Sequence, residues 1–260
     1  MDDIRTILLV GTGNAAWHLG INFLNAGVQI AGVAARDTDK AVALAMRLGG
    51  APVFGLSEQL PHVDATILLV RDDAVEEVAT LIAEPGRLLV HCSGSIKADA
   101  IKRSEHEYAV AWPLQTLQKD HPRPLTNTVV AVTGSSPETE ARVAALFSKI
   151  SERVHIMSEH QRSVMHMCAV WINNYTNHML HIGHTLLTEN DLSFSMFFPI
   201  IEEHVKLLHE QTPYNLQTGP AKRGDMGTLS RHMALLHDHP DWQELYDRLS
   251  KSILNTYIKQ

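Results

Sequence analysis

The chain has only two cysteines, Cys92 and Cys168, in 260 residues. So few leave no disulfide framework, and a reducing compartment fits. Positive charge is also scarce: 22 Lys and Arg stand against 29 Asp and Glu, a formal net charge of -7. A general nucleic-acid binder usually carries a basic footprint, so that class is set aside. Long apolar runs are missing at the start, where MDDIRTILLV opens with acids and a very short apolar stretch. That pattern suits neither a secretory signal nor a transmembrane span. The expectation is a soluble cytoplasmic protein with no nucleic-acid and no membrane partner. Sixteen histidines raise the question of a metal, yet His-Glu-x-x-His, Cys-x-x-Cys and an EF-hand loop do not occur. His178, His181 and His184 are spaced so that they step backwards round a helix instead of converging on one ion, and no functional metal is expected. Ser93 lacks the Gly-x-Ser-x-Gly setting of a nucleophile elbow, which argues against hydrolysis.

What is present is an ordered globular composition, 45% apolar and 20% charged, in a chain long enough for one large domain or two ordinary ones. From residue 6 to about 157, short β-rich runs alternate with helical patterns. Candidate strands are Thr6–Val10, Gln29–Ala34, Ala65–Val70, Leu88–Cys92, Ala109–Ala111, Val129–Val132 and Arg153–Ile156. Helical patterns cover Ala15–Ala26, Asp39–Leu48, Ala74–Ile82 and Pro137–Ile150. This alternation implies right-handed crossovers and a mostly parallel sheet, an α/β fold. After Met157 the pattern is nearly all helical. From Glu159 to about Thr188 only Gly183 interrupts it, a helix of roughly 45 Å. Its middle, VMHMCAVWINNYTNHML, is apolar on most of its circumference and needs burial on several sides. The expected division is 1–157, a sheet domain, and 158–260, a helical domain through which two copies pair as a homodimer.

The first strand stops at Gly11, and the chain then reads Gly11-Thr12-Gly13-Asn14-Ala15-Ala16. This is the G-x-G-x-x-G/A layout between strand and helix: Gly11 for the tight turn, Gly13 for close backbone approach to a pyrophosphate, Ala16 for helix-to-strand packing. Phosphates would lie at the helix N-terminus. The second strand runs into Arg36, with Lys40 one turn into the next helix. A guanidinium there suits a 2′-phosphate, which favours NADP (NADPH) over NAD. The plain alternative is that Asp37 or Thr38 caps the helix and Arg36 is a solvated charge. Asp37, shifted by one place, would serve NAD.

The segments GTGNAA, AARDTDKA, ILLVRDDAVEEVA, VHCSGS, WPLQTL and TGPAKRGD, in that order, resemble the Rossmann-like family whose C-terminal half is domain of unknown function 2520. Its members are thought of as NADP-dependent oxidoreductases, similar in layout to pyrroline-5-carboxylate reductase and the β-hydroxyacid dehydrogenases. The resemblance spans the whole chain, with TGPAKRGD and PLQT its most specific elements. It implies a Rossmann domain followed by a helical dimerisation domain, with a cleft between them. It also implies that Val70, Arg71 and Asp72 line the cofactor and that Ser93 and Gly94 lie near the nicotinamide. Relatives commonly carry His before PLQT, where this chain has Trp112.

Hydride transfer to a carbonyl or imine needs a held nicotinamide and a proton donor for the heteroatom. On a regular helix His166 and Asn173 are about 20° apart, with Asn174 on the adjacent stripe. This resembles the Lys and Asn pair of the β-hydroxyacid dehydrogenases, and by that likeness Asn174 is favoured. His166 is the candidate donor, because histidine is the side-chain type suited to proton transfer near neutral pH; the plain alternative is a hydrogen-bonded core histidine. In TGPAKRGD, Gly219-Pro220 and Gly224 break any helix and present Arg223 for a substrate carboxylate or a phosphate, while Asp225 caps the helix that follows. The expected function is hydride transfer between NADP(H) and a small polar carbonyl or imine substrate. A second class stays open, a protein that senses NADP(H) through the same fold without turnover.

Overall fold

The structure, a computed structural model, describes residues 3–82, 88–103, 106–119 and 123–258. It divides into two compact units, Met1–Ile172 and Asn173–Gln260.

The first unit is built on an eight-stranded sheet. In chain order its strands are β1 (Thr6–Val10), β2 (Gln29–Ala35), β3 (Val53–Gly55), β4 (Ala65–Leu68), β5 (Leu88–His91), β6 (Tyr108–Pro113), β7 (Val129–Gly134) and β8 (Arg153–Ile156). The spatial order is β3-β2-β1-β4-β5-β6-β7-β8, parallel except for the β6–β7 pair. The mostly parallel α/β sheet expected from the alternation is therefore present. Its helices are α1 (Asn14–Asn25), α2 (Thr38–Arg47), α3 (Val75–Leu81), α4 (Pro137–Ser148) and α5 (Glu159–Ala169).

Continuous apolar runs form the central strands because both faces are covered. Along β1 the side chains alternate between two cores. Ile7 and Leu9 join Leu19 and Phe23 of α1 and Phe147 of α4. Leu8 and Val10 join Val75 and Val78 of α3 on the other face. The strand order reverses between β1 and β4, so the crevice outside their C-terminal ends is where such a sheet takes a ligand.

Three sequence expectations need adjustment here. The strand read as Ala65–Val70 ends at Leu68, where the chain turns past Gly11. The three-residue strand β3 has no counterpart in the sequence reading, being too short to show a period of its own. The helix from Glu159 does run on to Glu189, but Val170–Tyr175 is a π-helical turn between α5 and α6 (Thr176–Glu189). Each residue of a π turn rotates less than in an α-helix, so regular-helix arithmetic fails for Asn173 and Asn174.

The sheet ends at Ile156, just before the expected division at residue 157, and α5 remains with the sheet unit. Ser158 starts that helix with a capping box closed by Gln161.

The second unit holds α6, α7 (Phe198–Leu207), α8 (Pro213–Leu216), α9 (Pro220–Arg223), α10 (Met226–Leu235) and α11 (Pro240–Tyr257). Ala221, Leu229 and Leu236 are its buried apolar residues. Burial of the long helix on several sides is not met within one chain: α6 and α7 have no buried side chain, and Ile172, Phe198 and Ile200 are exposed.

Gly11 has φ +121°, and a Cβ there would press into the Leu69 carbonyl oxygen. Gly11→Ala is expected to lower stability by at least about 2 kcal/mol, measured by urea unfolding. A substitution that leaves the midpoint unchanged would contradict the close approach.

Candidate functional site

At the C-terminal ends of β1, β2 and β4 lies a cavity of about 560 Å³. Gly11, Thr12 and Gly13 form one wall, Ala35 to Asp37 and Lys40 a second, and Leu69 to Arg71 with Asp73, Ala74 and Glu77 a third. Gly11 holds the turn by donating its N–H to the Ala34 carbonyl at 2.9 Å. A Cβ on Gly13 would meet its nearest neighbour, the Leu69 oxygen, only at 4.0 Å, so the turn is open on that side. Gly13 is also the N-cap of α1 and brings no side-chain cap, and the first turn Asn14-Ala15-Ala16 carries no acid. The first N–H groups of α1 thus lack the side-chain cap that Asp37 gives α2 and Ser136 gives α4. An anion fits such a terminus.

Six of the sequence candidates other than Gly11 therefore share this cavity: Thr12, Gly13, Arg36, Lys40, Val70 and Arg71. Asn14, Ala15 and Ala16 stand beside it on α1. The Asn14 side chain accepts from the Lys119 N–H at 3.3 Å, and Ala16 is fully buried against the sheet.

Each cation of the cavity wall already has a carboxylate. Arg36 Nη2 is 3.0 Å from Glu77 Oε2, Lys40 Nζ is 2.8 Å from Asp37 Oδ2, and Arg71 Nη2 is 2.9 Å from Asp73 Oδ2. Asp37 also accepts from the Lys40 N–H and so caps α2, as the plain reading expected. These hydrogen bonds from Lys40 hold the Asp37 carboxyl below its ordinary range and raise the Lys40 ammonium. The Arg36 and Glu77 side chains are 58% and 63% exposed, so their pairing is weak and exchangeable.

Asp72, Ser93 and Gly94 come together in a second place, the loop after β5. Ser95 Oγ donates to the Asp72 carboxylate, and Ser93 Oγ accepts from the N–H groups of Ser95 and Ile96, both at 3.2 Å. His91, fully buried at the end of β5, accepts from the Ser93 N–H through Nδ1 at 3.3 Å. Its Nε2 lies 3.1 Å from the Lys97 carbonyl oxygen, which requires a proton on Nε2. Desolvation by burial pushes the His91 pKa down to about 4, with the nearby Arg162 charge acting in the same direction.

His166 reaches this loop from α5. Its ring lies 5.2 Å from that of Trp112, nearly edge to face. Both rings crowd Gly94: a Cβ there would come within 2.5 Å of His166 Cδ2 and 2.6 Å of Trp112 Cε2. Only glycine fits at this place.

In the second unit, Asn174 is an exposed residue of the π turn. Pro220–Arg223 is a one-turn helix, α9, where the sequence reading had no helix; Pro220 is tolerated at its first position and Gly224 ends it with φ +67°. Arg223 is exposed at its last position. Asp225 caps α10 as expected, accepting from the Thr228 N–H and hydroxyl, and these bonds hold its carboxyl below the ordinary range.

The sequence reading missed Arg162, Glu159, His91 and Glu77. Arg162 is fully buried yet sits in a polar helical stretch that reads as solvent-facing. Its only sequence signal is the one-turn spacing to His166 on the same helix stripe.

Among the described residues, no helix is long and apolar enough to cross a membrane. Residues 128–253 match the family described as domain of unknown function 2520. The chain is similar to a candidate NADP oxidoreductase from Bacteroides fragilis, with 32% identity, a TM-score of 0.87 and coverage of 97% of this chain and 98% of that one. It shares its fold with a reductive aminase from Aspergillus terreus solved with NADPH and ethyl levulinate (14% identity, TM-score 0.68, coverage 96% and 95%). The same holds for a pyrroline-5-carboxylate reductase from Coxiella burnetii (13% identity, TM-score 0.58, coverage 99% and 98%). No protein of curated function matches the sequence.

A His kept neutral in the fold binds its proton first in the unfolded chain, so stability falls as pH drops. For His91 the window runs from the unfolded value near 6.5 down to about 4 and amounts to about 3 kcal/mol. Urea unfolding at about pH 7 and about pH 4.5 should show a larger loss in the wild type than in His91→Gln. Equal losses would contradict the buried neutral imidazole.

Proposed function

The chain belongs to the Rossmann-like family that carries domain of unknown function 2520, and on that premise we propose that it is an NADP-dependent reductase acting on a small polar imine or carbonyl compound. The observation that carries this reading is the union of an uncapped helix N-terminus, the open Gly11–Gly13 turn and Arg36 in one cavity. That combination suits a pyrophosphate joined to a phosphorylated ribose. NADPH, when bound, supplies the hydride.

The chain supplies position and a proton. Backbone N–H groups at Gly13 and the start of α1 hold the pyrophosphate. Arg36, with Lys40 beside it, takes the 2′-phosphate by exchanging its bond to Glu77, a change within reach for an exposed ion pair. Val70, Arg71 and Asp72 follow the cofactor past β4, and Ser93 and Gly94 form the shelf for the nicotinamide. His166 is the proton donor, with Asn174 and Arg223 orienting the substrate. The helical unit pairs with that of a second copy, which would cover the faces of α6 and α7 that a single chain leaves exposed.

One observation favours the second reading, a sensor of NADP(H) without turnover. Trp112 occupies the place where the resembling sequences commonly carry His, and its ring, which cannot donate or accept a proton as an imidazole does, packs on His166 and Gly94.

Titration with NADPH and NADH tests the cofactor assignment. Arg36→Ala should weaken NADPH at least about tenfold and leave NADH nearly unchanged; equal weakening of both would place Arg36 outside the 2′-phosphate site. Sedimentation should show a dimer, and a monomer at every concentration would refute the pairing.

A further inference from the structure

The structure assigns a positioning role to Arg162, resting on the cofactor reading above. Its guanidinium is fully buried. Nη1 donates to the carbonyl oxygens of Ser93 at 3.3 Å and Gly94 at 2.6 Å, and Nη2 donates to that of Ile96 at 2.7 Å. Nη2 also pairs with Glu159 Oε1, while Glu159 Oε2 accepts from the Ala98 N–H at 3.1 Å. One planar fork and its carboxylate partner therefore tie the start, middle and end of the loop after β5 to α5. A lysine could not do this, because its point charge does not span three carbonyls in fixed directions.

His166 stands one turn beyond Arg162 on the same stripe of α5, and its ring rests against Gly94. The guanidinium thus sets two things together: the path of the Ser93-Gly94 shelf and the distance from that shelf to His166. A buried guanidinium held by one carboxylate and three backbone carbonyls, with Nε left unpaired, is an expensive way to pack a loop. A rigid shelf for one end of the cofactor gives it a use. Arg162 does not line the cavity of Gly11 and Arg36, so its effect should be confined to the nicotinamide end.

Two ligands separate the ends: NADPH, which engages both, and 2′,5′-ADP, which reaches only the adenosine end. Arg162→Lys is expected to weaken NADPH about tenfold and to leave 2′,5′-ADP binding unchanged. If Arg162→Lys does not fold, Glu159→Gln, which keeps the shape and removes the charge, carries the same test with the same expected pattern. Weakening of both ligands alike, or of neither, overturns the role of Arg162. Failure of the wild type to bind either ligand is a separate result, and it overturns the cofactor reading together with everything that rests on it.

Discussion

The close approach of β1 and β4 at Gly11 is the constraint on which the rest depends. A backbone with positive φ, pressed on the Leu69 carbonyl, turns the chain sharply enough for α1 to start directly beyond the strand. That places an uncapped helix N-terminus at the point where the strand order reverses. The N-termini of α2, α4, α5 and α10 are closed by side chains, from Asp37, Ser136, Ser158 and Asp225, whereas α1, like α3 and α6, has no side-chain cap. What sets the terminus at Gly13 apart is its place at the strand-order reversal, beside Arg36 and Lys40 in one cavity, where an anion suits its N–H groups.

Charge in the cavity follows a similar logic. The chain as a whole is acidic, and every cation lining the cavity is neutralised by a neighbouring carboxylate. Such exposed pairs contribute little to stability. A phosphate, with more charge and more acceptor atoms, can replace a carboxylate in such a pair. The loop after β5 is treated differently: it is fixed by a buried imidazole and a buried guanidinium, so it resists rearrangement. The charged wall of the cavity is adaptable, and the loop after β5 is rigid.

The central strands were legible because burial on both faces leaves an unbroken apolar run, as in Ile7 to Val10. The glycine turn was legible because steric demand at Gly11 admits no other residue. Arg36 and Lys40 were found from their distance to that turn, and the structure brings them to the same cavity. Other features left no such trace. Val53–Gly55 is too short to show a period. The π turn has no compositional signature, so Asn173 and Asn174 could not be placed by counting. Arg162 looks like any solvated arginine until the carbonyls around it are known, because burial of a charge is decided by tertiary partners distant in sequence.

Crystals grown with NADPH test the central claim most directly. The expected result is a pyrophosphate against the N–H groups at Gly13 and the start of α1, with the 2′-phosphate bonded to Arg36 and Glu77 displaced. A nucleotide bound elsewhere, or none at saturating concentration, would contradict it and leave the Gly11 turn as a packing device alone.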